Sequence, residues 1–294
     1  MKRTLAVIGV PSSAGARRVG QELAPQWLRQ AGLVDRLRAT GAQVIDRGDL
    51  PQVTFSPDVL NPKQQNLPLV VGVLRQVARL VDDAVRQGTM PIVLGGDCTI
   101  SLGVLAGLAR HFSSLGMIYF DGDLDLNTPE TTVSGILDGM VLAHGLGEGI
   151  EELSHLGPRH PLLREKDVIL FGYSLEAGGI DPPEIERLER SAMAMYPVGS
   201  VNQGAAREAL RDLESRVDHI FVHFDVDVLD FRDFPAADVP HQPGLTLAAA
   251  QDALQVFLSS PKVAGLALTE FNAKRDGDAK LAGRLIKTLA LAIP

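Results

Sequence analysis

The feature that most constrains this chain is the stretch of residues 117–127, where an apolar run ends in three carboxylates at alternate positions. The apolar run indicates a buried strand, and the carboxylates are Asp121, Asp123 and Asp125. Alternate residues of an extended chain point to the same side, so we expect the three carboxylates to share one face. Two full charges about 4 Å apart repel by about 4 kcal/mol at an effective dielectric constant of about 20. The group therefore needs a positive partner, and a divalent cation with oxygen ligands is the simplest one.

A second stretch, residues 221–230, repeats this pattern. A β-branched and aromatic run ends in Asp225 and Asp227, and we expect His223 to share their strand face. A single Asp-x-Asp after a strand is usually a solvated turn. Two such motifs, each closing a strongly apolar strand, favour a shared metal site, because ligands of parallel sheets gather at the carboxyl ends of the strands.

Composition and charge limit the class of protein. The chain has 294 residues, of which 45% are hydrophobic, and this is enough for one large α/β domain spanning residues 1–294. A formal net charge of −8 argues against nucleic acid and against an anionic membrane as the main partner. We also expect no membrane span, because no apolar run approaches the roughly 18 residues that one needs.

The cysteine content and the N-terminal residues indicate a cytoplasmic protein. Cys98 is the only cysteine, so no intrachain disulfide can form, which fits a reducing compartment. Basic residues precede an apolar run at the N-terminus, as they do in a signal peptide. That run stops at Pro11 without a small-residue cleavage site, so we interpret it as the first β-strand.

Strand and helix patterns alternate along the whole chain. Apolar β-prone runs predict eight strands at residues 4–10, 43–46, 90–94, 115–120, 167–171, 192–197, 221–225 and 263–269. Helical spacing predicts helices at residues 23–31, 67–87, 99–110, 136–144, 182–190, 205–216, 246–258 and 277–292, with Asp97 and Thr246 as caps. The alternation predicts a three-layer α/β/α sandwich around a central, mostly parallel eight-stranded sheet.

Six short motifs occur in an order that resembles a known family. They are Gly-Gly-Asp-x (95–98), Asp-x-x-x-Asp (121–125), Ser-Gly-x-x-x-Gly-Met (134–140), Phe-Asp-Val-Asp-x-x-Asp (224–230), Pro-Gly-Leu-Thr (243–246) and Glu-x-Asn (270–272). This order is similar, nearly end to end, to that of the arginase/agmatinase/formiminoglutamase family, the ureohydrolase superfamily. The resemblance implies an arginase-like sandwich fold and a homotrimer or homohexamer.

The resemblance also implies a chemistry and a set of site residues. Two manganese ions bridged by a hydroxide would attack the carbon of a small guanidino or amidino substrate, since two cations lower the pKa of a shared water. The positions that correspond to metal ligands are Cys98, Asp121, Asp123, Asp125, Asp225 and Asp227. Catalytic positions are Asp125, Asp138 and Glu270, of which Glu270 corresponds to an acid that pairs with the substrate's guanidinium.

This chain departs from the family at three positions. Family members usually carry histidine at the positions of Cys98 and Asp123, and often at that of Asp138. Four aspartates and two neutral histidines balance two divalent ions, whereas the five aspartates here leave an excess of one negative charge, or two with a Cys98 thiolate. That excess should raise the pKa of a shared water and weaken the nucleophile. A thiolate ligand would also favour Fe, Co or Zn over Mg.

Three interpretations remain open. The first is an active metallohydrolase, and the retained acids favour it because burying them without cations is costly. The second is a catalytically silent protein of this fold that binds a small ligand or a partner with one metal or none, in which Asp123 and Asp138 pair with Arg or Lys. The third makes Cys98 a covalent nucleophile with His223 or His144 as its base. The pattern around His223 favours a hydrogen-bonded core histidine on a strand over a base. Loops 11–20, 128–135 and 230–244 should determine the substrate.

Overall fold

The computed structural model describes residues 3–176 and 180–293. Its strands are β1 Thr4–Gly9, β2 Gln43–Asp49, β3 Met90–Leu94, β4 Leu115–Phe120, β5 Val168–Phe171, β6 Ala194–Tyr196, β7 His219–Asp225 and β8 Val263–Thr269. They form one sheet in the order β2-β1-β3-β8-β7-β4-β5-β6, and each neighbouring pair of these strands is parallel. Strands β3 and β4 are buried along their whole length, which explains why their sequences are continuous apolar runs.

Helices cover both faces of the sheet. They are α1 Ala24–Gln30, α2 Leu33–Ala39, α3 Leu67–Arg86, α4 Ile100–Leu108, α5 Val141–Gly145, α6 Glu151–Ser154, α7 Pro182–Glu189, α8 Gln203–Arg216, α9 Leu247–Ser259 and α10 Lys280–Ala292. Helices α1, α2, α8, α9 and α10 contribute to the core on one face, and α3 to α7 contribute to the core on the other. The predicted fold class, a three-layer α/β/α sandwich around an eight-stranded sheet, is confirmed.

Two predicted helices differ from the observed ones. The helix predicted at 23–31 corresponds to α1, which a 3-10 turn, Gln21–Leu23, precedes, and a further helix that was not predicted, α2, begins directly after Gly32. Gly32 has φ 93°, a left-handed conformation that ends one helix and redirects the chain into the next. The predicted helix 136–144 is also shorter, since a 3-10 turn at Asp138–Met140 precedes α5.

The prediction that Asp97 caps helix α4 is wrong, because the N-cap residue is Thr99. Helix α4 begins at Ile100 after Thr99, whose side chain makes no capping hydrogen bond. The Asp97 carboxylate accepts hydrogen bonds from the Thr99 backbone N–H at 3.1 Å and from the Gly15 N–H at 3.0 Å. Asp97 therefore ties the loop after β1 to the start of α4. The prediction of Thr246 as a helix cap is confirmed, because its side chain accepts a hydrogen bond from the Ala249 N–H at the start of α9.

No helix in the described ranges is long and apolar enough to cross a membrane. The single domain over residues 1–294 stays a prediction.

Candidate metal centre

Four neighbouring strands end at the same edge of the sheet, and the predicted site residues follow their carboxyl ends. Asp121 comes directly after β4, Asp225 is the last residue of β7, and Glu270 comes directly after β8. Cys98 lies just beyond the end of β3. Because the sheet order is β3-β8-β7-β4, segments far apart in sequence converge at one place.

A cavity of about 450 Å³ lies at this edge. It is lined by all the predicted site residues, namely Cys98, Asp121, Asp123, Asp125, Asp138, Asp225, Asp227 and Glu270. The three loops that were expected to determine the substrate also reach it, through Arg17 and Arg18, through residues 132–134, and through residues 238–240. The structure therefore brings together every residue predicted as a metal ligand or catalytic position.

The expectation that the carboxylates share one strand face is wrong. Strand β4 ends before Asp121, and Asp125 has φ 50°, a left-handed conformation. Asp227 lies in a 3-10 turn, Val226–Val228, beyond the end of β7. In each motif the first carboxylate accepts a hydrogen bond of 2.7 Å from the backbone N–H of the second aspartate. These two turns, rather than the pleat of a strand, direct the acids into the cavity.

Four donor side chains form a group that we call the strand-end cluster: Cys98, Asp121, His223 and Asp225. One donor atom from each lies within 4.8 Å of the others. The Cys98 thiol donates to Asp225 Oδ2 at 2.6 Å, and His223 Nε2 lies 3.1 Å from Asp121 Oδ2 and 3.6 Å from Cys98 Sγ. His223 is thus a buried core residue, as one interpretation expected, and its outer nitrogen also faces the site acids.

Surrounding side chains hold the strand-end cluster in place. Ser101 Oγ is 2.7 Å from His223 Nδ1, so the hydroxyl and the inner ring nitrogen are hydrogen-bonded. The Tyr119 ring stacks on the His223 ring with centroids 4.3 Å apart. The Thr269 hydroxyl donates to Asp225 Oδ2 at 3.0 Å. These contacts fix the orientation of the donors before any ligand arrives.

A second group, the loop cluster, consists of Asp123, Asp227 and His241. His241 Nε2 lies 3.4 Å from Asp123 Oδ2 and 3.7 Å from Asp227 Oδ2. His241 is fully buried, and neither ring nitrogen has a hydrogen-bond partner of normal geometry among the described residues. His241 was not predicted as a site residue from the sequence. The feature that could have indicated it is its position between Pro240 and Pro243, in the loop that follows the second acidic motif.

A third set of contacts surrounds Asp138 and Glu270. The Cys98 backbone N–H donates to Asp138 Oδ1 at 2.6 Å. Glu270 Oε2 accepts from Gln21 Nε2 at 2.9 Å, while its buried Oε1 has no hydrogen-bond partner in the described part of the chain. Glu270 also has φ 63°, a left-handed conformation that is strained for a non-glycine residue. Strain of this kind often marks functional positions.

The ionised form of several acids in the cavity is electrostatically unfavourable. Burial, reinforced by the neighbouring carboxylates, raises the pKa of Asp121, Asp125 and Asp225 well above the usual range. Within residues 3–176 and 180–293, no lysine or arginine nitrogen lies within 4.0 Å of these acids or of the loop-cluster carboxylates. Arg17, in the cavity lining, acts on Asp123 only from a longer distance, so none of the described lysine or arginine side chains pairs directly with these acids.

Histidine contributes part of the positive charge. Burial alone would lower the pKa of His241, but Asp227 and Asp123 outweigh it and raise that pKa to about 11. Burial lowers the pKa of His223 to about 3, so this imidazole is neutral. With protein groups alone around them, the two histidines thus differ in charge, and a bound cation would compete with the proton on His241.

The donor set fits divalent metal ions. Carboxylate oxygens predominate, with imidazole nitrogen and one sulfur, and this mixture suits Mn, Fe, Co or Zn. Asp123 Oδ1, Glu270 Oε1 and both nitrogens of His241 are buried without hydrogen-bond partners in the described residues. Unsatisfied buried polar atoms are costly, and a bound cation would satisfy several of them at once.

The arrangement gives little support to Cys98 as a metal-free nucleophile. Burial, followed by the charge of Asp225, raises the pKa of the Cys98 thiol well above its usual value. A neutral His223 with a lowered pKa is a weak base for such a thiol. His144, the other base considered, is not among the residues that line the cavity.

Comparison with known proteins adds a separate line of support. The family model described as the arginase family matches residues 3–292. The arginase of Brevibacillus brevis is 32% identical over 276 residues, which cover 92% of this chain and 91% of that protein. The crystal structure of the arginase from Bacillus cereus has a TM-score of 0.90 at 29% identity, covering 99% of this chain and 98% of that one. A formimidoylglutamase from Bacillus subtilis, with a TM-score of 0.77 and 19% identity over 99% of this chain and 86% of its own, shows similarity of fold alone.

Proposed function

Because this chain belongs to the arginase family, we propose that it is a metal-dependent hydrolase that cleaves a C–N bond in a linear guanidino or amidino compound. Relatives at about 30% identity that are arginases support a ureohydrolase-type hydrolase. The observation that carries the proposal is the convergence of seven buried or half-buried acids and one thiol on a single cavity without a lysine or arginine partner among the described residues.

We propose two manganese ions as the cofactor, with Fe, Co or Zn as alternatives that the Cys98 sulfur would favour. The residues that would hold them are Cys98, Asp121, Asp123, Asp125, Asp225 and Asp227. When bound, such ions lower the pKa of water and stabilise the charge that develops in the transition state. The Tyr119 hydroxyl donates to Asp125 Oδ2 and so orients that carboxylate.

Glu270 has the position and the free acceptor to bind the substrate's cationic group. Its Oε1 is buried and lacks a hydrogen-bond partner within the described ranges, so it can accept an N–H of a guanidinium. Gln21 donates to the other oxygen and holds the carboxylate in one orientation. The Arg17 and Arg18 side chains line the same cavity and can contact an anionic group of the substrate.

Asp138 can provide a proton for the leaving nitrogen. Burial and the charge of Asp97 raise the pKa of Asp138 well above the usual range, which favours the protonated form of its carboxyl group. As a water oxygen bonds to the amidine carbon and the C–N bond breaks, the departing amine needs one proton. The Cys98 backbone N–H holds Asp138 Oδ1 in place, so that the carboxyl group faces the cavity while it transfers that proton.

The proposal is tested by elemental analysis of the purified protein, combined with a screen for urea or ammonia release from guanidino compounds. We expect bound transition metal and turnover of at least one compound. Asp225→Asn should abolish turnover, because Asp225 is in contact with Cys98 and Thr269 at the centre of the site, whereas Cys98→Ser should leave some. Asp230→Asn is the matched control, since Asp230 pairs with Arg232 outside the cavity lining.

The catalytically silent alternative rests on the excess negative charge that Cys98 and Asp123 bring to the site in place of the histidines usual in the family. A metal-free protein with an unchanged melting temperature in chelator would support that alternative. Loss of turnover in Cys98→Ser with retention in Asp225→Asn would instead support a covalent thiol. The homotrimeric or homohexameric state and the cytoplasmic location stay predictions.

A further inference from the structure

Two histidines outside the family-like motifs lie among the acids of the cavity. His223 belongs to the strand-end cluster and His241 to the loop cluster. We infer that these two imidazoles are metal ligands, one in each cluster, in place of the histidines that the family resemblance leads one to expect at Cys98 and Asp123. This inference rests on the proposed metal centre and specifies which side chains complete it.

The separations around His241 fit a shared ion better than a direct contact. Its Nε2 is 3.4 Å from Asp123 Oδ2 and 3.7 Å from Asp227 Oδ2, both longer than a normal N–H···O bond. Donor atoms about 3–4 Å apart are close enough to bind one ion through metal–ligand bonds of about 2.0–2.2 Å. Asp123 Oδ1 and both ring nitrogens have no hydrogen-bond partner in the part of the chain that the structure describes. The donors are therefore spaced for an ion that would satisfy them.

The backbone makes room for His241 at this place. A Cβ added to Gly122 would lie 2.4 Å from His241 Cδ2 and 2.7 Å from its Nε2, so any larger residue would displace the imidazole. The Gly122 N–H donates to Asp227 Oδ1 at 3.1 Å, which holds the second acid of the cluster. The His241 carbonyl accepts from the Phe231 N–H at 3.1 Å, and this bond anchors the histidine's own loop.

His223 has the features of an oriented ligand. Ser101 Oγ holds its Nδ1 at 2.7 Å, which leaves Nε2 facing the cluster. That nitrogen lies 3.1 Å from Asp121 Oδ2 and 3.6 Å from Cys98 Sγ. An inner nitrogen held by a hydrogen bond, with the outer nitrogen facing other donor atoms, is the usual arrangement of a metal-binding histidine. Because Cys98 stands where the family usually has a histidine, no imidazole comes from the β3 side. His223 on strand β7 brings an imidazole next to Cys98 instead.

A competing explanation is that His241 only balances charge. As an imidazolium it would neutralise part of the Asp123 and Asp227 charge without binding metal. The two explanations predict different results for metal binding, because a charge partner does not coordinate the ion. The experiment therefore measures coordination directly and uses the full-length protein.

The first measurement is pulsed EPR of the wild-type protein titrated with Mn²⁺, using histidine with isotopically labelled ring nitrogens. We expect nitrogen couplings that change with the label, since an imidazole nitrogen is bound to the ion. The second is calorimetric Mn²⁺ binding to His241→Gln and His223→Asn. Each variant should weaken one of two ions about tenfold or more and remove one set of nitrogen couplings.

Gly122→Ala provides a variant in which the histidine itself is retained. The added methyl group would displace the imidazole, so Mn²⁺ binding should weaken as it does in His241→Gln. Gly283→Ala is the matched control because a Cβ there meets no atom within 4 Å. His144→Gln controls for the loss of a buried histidine, since His144 lies outside the cavity lining. Both controls should keep wild-type binding of both ions.

The outcomes separate this inference from the proposed function. Wild-type protein that binds two Mn²⁺ ions without any imidazole coupling would overturn the inference and leave the metallohydrolase proposal intact. Unchanged affinity in both His241→Gln and Gly122→Ala would likewise assign His241 to charge balance. Failure of the wild-type protein to bind any of Mn²⁺, Fe²⁺, Co²⁺ and Zn²⁺ would overturn both.

Discussion

The strand-end cluster and the loop cluster hold similar donor atoms on different kinds of backbone. In the first, His223 and Asp225 lie on strand β7, and Asp121 directly follows strand β4. In the second, Asp227 lies in a 3-10 turn, and Asp123 and His241 lie in loops. The sheet therefore positions one cluster directly, while the packing of three separate segments positions the other.

The two clusters also differ in how completely their polar atoms are paired. Ser101 and Thr269 hold the donors of the strand-end cluster. In the loop cluster, Asp123 Oδ1 and the ring nitrogens of His241 have no hydrogen-bond partners among the described residues. This difference indicates that the strand-end cluster is preorganised, whereas the loop cluster depends on a ligand for its order.

The largest expected effect is that of chelation, and it tests the difference in order between the clusters. Removing ions present at about 1,000 times their dissociation constant should lower the free energy of unfolding by about 4 kcal/mol per ion. Because the loop cluster is less preorganised, its ion should leave first as chelator is added. Calorimetric melting with metal analysis at each step checks this. Loss of both ions together, or an unchanged melting temperature, would contradict the distinction.

A smaller effect is expected from Ser101→Ala, which acts on the strand-end cluster alone. Loss of the hydroxyl frees the His223 ring, and such changes typically weaken metal binding by 10–100-fold, or about 1.4–2.8 kcal/mol. The ion of the loop cluster should keep its affinity. Stepwise Mn²⁺ calorimetry measures both ions. Ser154→Ala is the control, since Ser154 is buried but hydrogen-bonds to His155 outside the cavity. Equal weakening of both ions would show that the clusters are not independent.

The smallest effect concerns Glu184, which supports the loop after β4. Its carboxylate accepts from the Leu126 and Asp181 N–H groups at 3.0 Å, and burial raises its pKa to about 7. A raised pKa means that the folded state binds the proton more tightly. The stabilisation is thus complete below the unfolded pKa of about 4.5 and is lost as pH rises through about 7.

Glu184→Gln is neutral at every pH and removes this dependence. Between about pH 6 and about pH 8, the wild-type protein should lose about 1–2 kcal/mol of unfolding free energy relative to the variant. Denaturant unfolding in chelator at both pH values measures the difference. If the difference in unfolding free energy between wild type and variant is the same at both pH values, Glu184 does not titrate in this range. Its support of the loop would then be independent of pH.

The two acidic motifs show how much of the site could be predicted from the sequence. Apolar runs that end in Asp121 and Asp225 were enough to predict two buried strands and a metal site at their carboxyl ends, because burial and charge repulsion are local properties. The prediction that the carboxylates share one strand face was wrong, because it assumed that the strands continue through the acids. Backbone turns at Asp123 and Asp227 ended them sooner.

The sequence by itself determined the alternation of strands and helices, the class of fold and the predicted acidic residues of the site. These follow from periodicity and from short motifs, which are readable one segment at a time. Only the tertiary structure decided which side chains accompany the acids. His241 reaches Asp123 and Asp227 because Gly122 leaves space for it and because its loop is bonded back to Phe231. A contact between residues more than a hundred positions apart depends on how distant segments pack, and no local pattern encodes that.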